Sequence, residues 1–358
     1  MTVKSISASS TGRLANADSL LLACLLVLAV AAVLALSIGP TGITLDSLPR
    51  VLTAIVTGEA DAGTAREKLV LLDIRLPRLL LGMFVGIALS TSGAMMQGLF
   101  RNPLADPGLI GVSSGAALAA VATIALGNGV LGFLVKPLGV YALPFMAFLG
   151  GVAATSILVM VADRHGQLIT TTLLLAGIGV GALAAALTGL ISFASDDREL
   201  RDLTLWMLGS LSGASWPKVF SVIPFALVLA AVCPRLIRAL NGLLLGETEA
   251  FHMGVDVERS KKLIVLATAS AVGAAVAVSG VIGFVGIVVP HFARMLGGPD
   301  HRCVLPVSAT LGATLVLLGD VVARMALSPA ELPLGVVMAI IGAPVFLHMV
   351  IRRGLAGA

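Results

Sequence analysis

"LLLACLLVLAVAAVLALSIG", Leu20 to Gly39, runs for twenty residues without a charged side chain. No polar residue recurs at the 3.6-residue step that would leave one helix face for water, so the solvent of this stretch is lipid. About twenty residues rising 1.5 Å each are what a hydrocarbon core of about 30 Å requires. In that core every backbone N–H and C=O has to pair within its own segment, which leaves helices or closed barrels. The run is too long and too continuous for the alternating strands of a barrel. Lys4 and Arg13 precede it as they would in a secretory signal. Its length and the lack of a small-x-small cleavage pattern instead make it a retained first span.

The rest of the chain repeats this pattern. Hydrophobic residues make up 58% of the 358 positions, with 40 glycines and a mean hydropathy of +1.06. We therefore expect an all-α polytopic membrane protein, one transmembrane domain over 1–358. About ten spans are predicted, near 19–38, 77–100, 108–126, 141–162, 170–193, 218–238, 263–281, 283–297, 305–326 and 333–351. The pair around Gly280 and Gly283 leaves room for only a tight turn or a re-entrant excursion. Polar connections include Thr41 to Asp73 and Ala194 to Trp216, and the rest are short. With 1–18 in the cytoplasm, thirteen of the 23 Lys and Arg fall inside and ten outside, the sign the positive-inside rule requires but by a small margin. Ser92–Gly93 before Pro103 and Ser279–Gly280 before Pro290 form an internal echo; five spans apart, the copies would run in opposite directions, as in inverted repeats. Cys24, Cys233 and Cys303 lie far apart and read as small buried hydrophobes. The net charge of +4 is dispersed over short loops, which excludes nucleic acid as a partner.

Catalytic chemistry has no residues to stand on. "GVSSG", Gly111 to Gly115, matches a serine nucleophile elbow in letters only, because it lies among alanines in a span where small residues serve close helix packing. "GIGVG", Gly177 to Gly181, lacks the strand and the acid of a dinucleotide fingerprint. No lysine follows a glycine, so there is no phosphate-binding loop for ATP, and no His/Cys cluster has metal-ligand spacing. No cofactor and no metal are expected. Asp320 and Arg324, four apart, share a helix face and read as a mutually satisfied pair. Arg75 and Arg78 flank a proline where a span begins, either as snorkelling interface anchors or as a basic rim for an acidic partner. Late in the chain, seven of the sixteen residues from Glu247 to Lys262 are charged, against 12% overall. Such an island between apolar spans has to face water or a wet protein surface.

"IRLPRLLLGMFVGIALSTSGAMMQGLFRNPLADPGLIGVSSGAALAA", "LWMLGSLSGASW", "LLLGETEAFHMGV", "SGVIGFVGIVVPHFARMLGGPDHR" and "AELPLGVVMAIIGAPVFL" resemble, in order and spacing, the permeases of binding-protein-dependent ABC importers for iron-siderophores, haem and cobalamin. The resemblance runs from about Leu71 to Leu347. It implies the type II ABC importer permease fold in the bacterial inner membrane, working as a homodimer with an ABC ATPase subunit below and a periplasmic substrate-binding protein above. It also implies that 239–262 is a cytoplasmic coupling region in which Gly246, Glu247, Ala250, Gly254 and Val255 fall on the ATPase-seating motif. By the same resemblance Arg75, Arg78 and Arg324 receive acidic side chains of the binding protein, and reversing them to glutamate is expected to abolish delivery while leaving the folded dimer intact. Asn102, Leu104, Thr170 and Thr171 would form the cytoplasmic gate, the threonines doubling as helix-capping residues. His291 belongs to the motif as a structural residue. "LRDLTLWMLGSLSGASW" looks most like the haem branch, so haem is the expected cargo, with an iron-siderophore or cobalamin as alternatives. An ion-coupled secondary carrier would need carboxylates deep in several spans, and an intramembrane hydrolase a serine or metal site.

Overall fold

The apolar runs fold as helices because nothing else satisfies their backbone in lipid. The structure, a computed structural model, describes residues 4–39, 48–57, 62–127, 129, 131–164 and 166–356, so the first three residues and part of the polar segment Thr41 to Asp73 lie outside it. Helix α1 (Lys4–Ser37) is followed by α2 (Leu48–Thr57) and α3 (Ala62–Leu69). A π-helical turn, Val70–Arg75, joins α3 to α4 (Leu76–Leu99) without a break. A 3₁₀ turn, Pro107–Ile110, leads into α5 (Val112–Leu126), and α6 (Gly132–Leu138) into α7 (Ala142–Ala162). The hairpin of β1 (Asp163–Arg164) and β2 (Gln167–Leu168) turns the chain into α8 (Thr170–Ala194). Then come α9 (Asp197–Met207), α10 (Trp216–Leu245), α11 (Glu247–His252), α12 (Val257–Ser279), α13 (Val285–Gly297), α14 (His301–Met325) and α15 (Leu334–Ala356).

Among the described residues eight helices are long and apolar enough to span a membrane, and the shorter apolar helices α5 and α13 stand where the other two spans are predicted. Boundaries differ where a helix outlasts its predicted span: α10 runs seven residues beyond 238, to Leu245, with Ala239, Leu240 and Leu243 buried against the protein. The segment Ala194–Trp216 is not a plain connection, because Asp196 and Glu199 form a capping box that starts α9. The internal echo is one of letters. Ser92–Gly93 lie within α4, whereas Gly280 ends α12 at φ +68. Gly286, in the first turn of α13, meets Gly93 in the interior of α4. Gly280–Phe284 links the two helices without helix, and protein lies against its first part: the Ser279 carbonyl just before it accepts from Ser210 N at 2.7 Å, Val281 O lies against Gly209, and Gly283 is exposed.

Helices α4, α12 and α14 are the most buried and α1 and α8 the least. Where α4 crosses α14 the backbones touch: a Cβ on Gly86 would land on the carbonyl of Gly312, and one on Gly312 on Ser90 Oγ. Lipid offers no hydrophobic drive between helices, so this close approach supplies the packing. Gly312→Leu is expected to lower stability by about 1–3 kcal/mol or more, read as a fall in the detergent melting temperature. An unchanged melting temperature would remove the contact from the account.

Contacts between helix ends define two ends of the bundle. At one, the Trp216 indole at the start of α10 donates to Leu72 O at 3.1 Å, just before Arg75. At the other, Asn241 near the end of α10 accepts from His301 N at 2.9 Å where α14 begins. The 30 residues of α10 lie between, about 45 Å of helix.

Candidate functional site

At the first end α1 stops, α4 starts and α14 stops, and the three predicted arginines converge there. The last carbonyls of a helix have no partner within it. In α1 they are taken by arginines: Arg324 Nη1 donates to Ile38 O at 2.9 Å and Nη2 to Ala35 O at 3.1 Å, while Arg75 donates to Leu36 O. A Cβ on Gly39 would meet Arg324 Nη1 at 2.8 Å and Arg75 Nη2 at 3.4 Å, so both guanidinium groups lie against one point of the chain. Their positive charge also suits the negative end of the helix. Arg75 is 4% exposed and Arg324 6%.

Asp320 does more than orient Arg324. Its carboxylate pairs with Arg324 Nε at 3.1 Å and accepts Nε and Nη2 of Arg78 at 2.9–3.1 Å. The far side of Arg78 grips Glu331 in the same two-pronged way, at 3.0 and 2.9 Å. Two-pronged arginine–carboxylate pairs fix orientation as well as charge. Glu331 is the residue sequence reasoning missed; the only signal was an acid immediately before a span, in "AELPLG". Lys218, in the first turn of α10, lines a cavity of about 320 Å³ beside Glu331. The sequence offered no reason to single it out.

The predicted coupling residues lie at the opposite end, and they form a frame. Gly246 at φ +136 stops α10 and Gly254 at φ +76 stops α11, conformations that side chains other than glycine rarely adopt. Ala250, fully buried, rests on Gly242, and Val255 N closes the turn onto Ala250 O at 3.0 Å. Glu247 pairs with Lys261 at 2.9 Å. Asp256 caps α12 through Arg259 N at 3.1 Å. Thr248, Glu249, Phe251, His252 and Met253 face outward, with Phe251 69% exposed. Phe251 thus stands on a short polar helix beyond the spans.

The four gate candidates do not form one contact. Asn102 Oδ1 accepts from Leu104 N at 3.0 Å in a local turn. Thr170 opens α8 but is not its N-cap, which is Ile169; instead it donates to Glu247 Oε1 at 3.4 Å, and Thr171 is exposed. Close by, the Lys262 ammonium at 2.5 Å from Asp163 holds that carboxyl below the ordinary carboxylate value. Among the described residues no three His, Cys, Asp or Glu side chains converge as metal ligands.

A family model described as the FecCD transport family matches residues 25–352. The chain is 46% identical over 286 residues to the hemin transport system permease protein HmuU of Yersinia pestis, covering 79% of this chain and 83% of that protein. It is 42% identical over 316 residues to the vitamin B12 import system permease protein BtuC of Klebsiella pneumoniae, covering 87% of this chain and 92% of that one. It also matches the solved structure of a metal-chelate type ABC transporter in an inward-facing conformation with a TM-score of 0.80 and 32% identity, over 94% of this chain and 99% of that one.

Proposed function

The chain belongs to the FecCD transport family of ABC importer permeases, and on that premise we propose that it carries haem inward across the bacterial inner membrane as a homodimer. ATP is hydrolysed by a separate ATPase seated on α11, and a periplasmic binding protein delivers cargo at the Arg75, Arg78 and Arg324 end. The chain itself makes and breaks no bonds. The observation that supports this reading most is the arrangement at the two ends of α10. Three arginines interleaved with Asp320 and Glu331 stand at one end and a polar helix with an exposed phenylalanine at the other, joined by continuous helix. A partner that moves on binding ATP needs such a rigid handle, and the bundle then tilts between inward- and outward-open states.

The choice of haem rests on the 46% likeness to a hemin permease. The 42% likeness to a vitamin B12 permease, over a longer stretch, favours cobalamin as the second reading. Liposomes holding the purified chain with its ATPase and binding protein separate these. Haem uptake is expected to require both the ATPase and ATP. Cobalamin uptake without haem uptake would overturn the cargo and keep the machine, and uptake driven by an ion gradient through the chain alone would overturn the machine.

A further inference from the structure

Lys261 is 3% exposed, in the second turn of α12, and the transport reading has assigned it nothing. Its ammonium bonds three elements at once. It meets Glu247 Oε2 of α11 at 2.9 Å, Glu258 Oε1 of its own helix at 2.7 Å, and the carbonyl of Leu168 at 2.8 Å, two residues before α8 begins. The other oxygen of Glu258 takes the N–H of the same Leu168 at 2.6 Å, so both backbone polar groups of that residue are held by α12. Lys262 fastens the start of the hairpin through Asp163 at 2.5 Å, and Thr170 ties α8 to Glu247 at 3.4 Å.

Elsewhere helix α8 is held from one side only, by α5, α7 and the Pro107–Ile110 turn, whose Leu109 carbonyl abuts Gly177. Its buried residues, Leu173, Gly177, Ala184 and Thr188, form one narrow line, and most of its surface faces away from this chain. A helix anchored along one line and riveted at one end is a lever whose handle is that end. We propose that Lys261 is the positioning residue that transmits displacement of α11 to α8, so that the ATPase-seating helix, the Asp163–Leu168 hairpin and the start of α8 move as one body. This rests on the reading of α11 as the ATPase seat and adds the route by which its motion reaches the membrane.

The charge pattern makes the idea testable. Removing the buried lysine leaves Glu247 and Glu258, which are 43% and 32% exposed and can be rehydrated, so Lys261→Met is expected to fold. The experiment uses the full chain assembled with its ATPase and binding protein in haem-loaded liposome assays. K261M is expected to retain the ATPase and hydrolyse ATP while haem moved per ATP falls at least tenfold; K261R, which keeps the cation, restores more than half. Thr170→Val, which removes only the bond from α8 to Glu247, should lower the same ratio about threefold. Spin labels at Thr248 and Thr171 are expected to keep one narrow separation in the native chain with and without ATP, and a broad one in K261M. An unchanged ratio and unchanged separation in K261M overturn the proposal. So does a loss of ATPase binding that accounts for all the lost uptake, since Lys261 would then merely support the seat. Native ATPase binding by a chain with arginine at Ala250 would instead tell against the seat itself.

Discussion

Arg324→Glu is expected to cost the protein its fold rather than a contact with a partner. The guanidinium is 6% exposed, ion-paired with Asp320 and bonded to Ala35 O and Ile38 O. Breaking a buried pair by removing one partner costs roughly 3–5 kcal/mol. Glutamate would add a second carboxylate beside Asp320 and aim it at carbonyl oxygens, where the α1 terminus is already negative. Against a total stability of about 5–15 kcal/mol this is a large fraction. The measurement is the yield of monodisperse protein in detergent and its melting temperature: R324E should give little or none, and Arg324→Met an intermediate value. This revises the expectation that reversing all three arginines leaves the folded dimer intact, because Arg75 and Arg324 serve the C-terminus of α1. Arg78, with 13% of its side chain exposed and its outer face on Glu331, is the better probe of docking. Wild-type melting of R324E would sink the capping assignment.

The second large effect lies at the other end of α10. Phe251→Asp is expected to leave the melting temperature of the chain unchanged and to weaken ATPase binding about thirty-fold, the effect of losing roughly 2 kcal/mol at an aromatic anchor. Ala250→Arg should do more, because Ala250 is fully buried against Gly242 and an arginine there lifts α11 from its seat. In A250R both ATPase binding and ATP-driven uptake should vanish while the spans remain folded. Titration of detergent-solubilised chain with the ATPase reads both variants. Native affinity in F251D would show that α11 is not where the ATPase grips.

These two sites were legible to different depths. The frame around Gly246 to Val255 was readable because it is local: Gly246 and Gly254 supply the two positive-φ turns, Ala250 is the small buried residue between them, and Val255 closes back onto Ala250. The side that meets a partner was not, since the exposure of Phe251 depends on how α11 lies on α10. The three arginines do meet at one end of the bundle, but their partners were invisible. Glu331 reaches Arg78 across 253 positions and Ile38 O reaches Arg324 across 286, and no local pattern encodes such pairs. Lys261 looked like one more charge in a solvated island until three separate elements closed over it.

By itself the sequence determined that this chain lives in lipid as a bundle of about ten helices, because twenty uncharged apolar residues in succession admit no other solvent and no other backbone pairing. Only the tertiary structure decided which charges are spent inside the chain and which face outward. Apolar length is a property of neighbours along the chain, whereas the partner of a buried charge is whatever the packing of distant helices brings within about 3 Å.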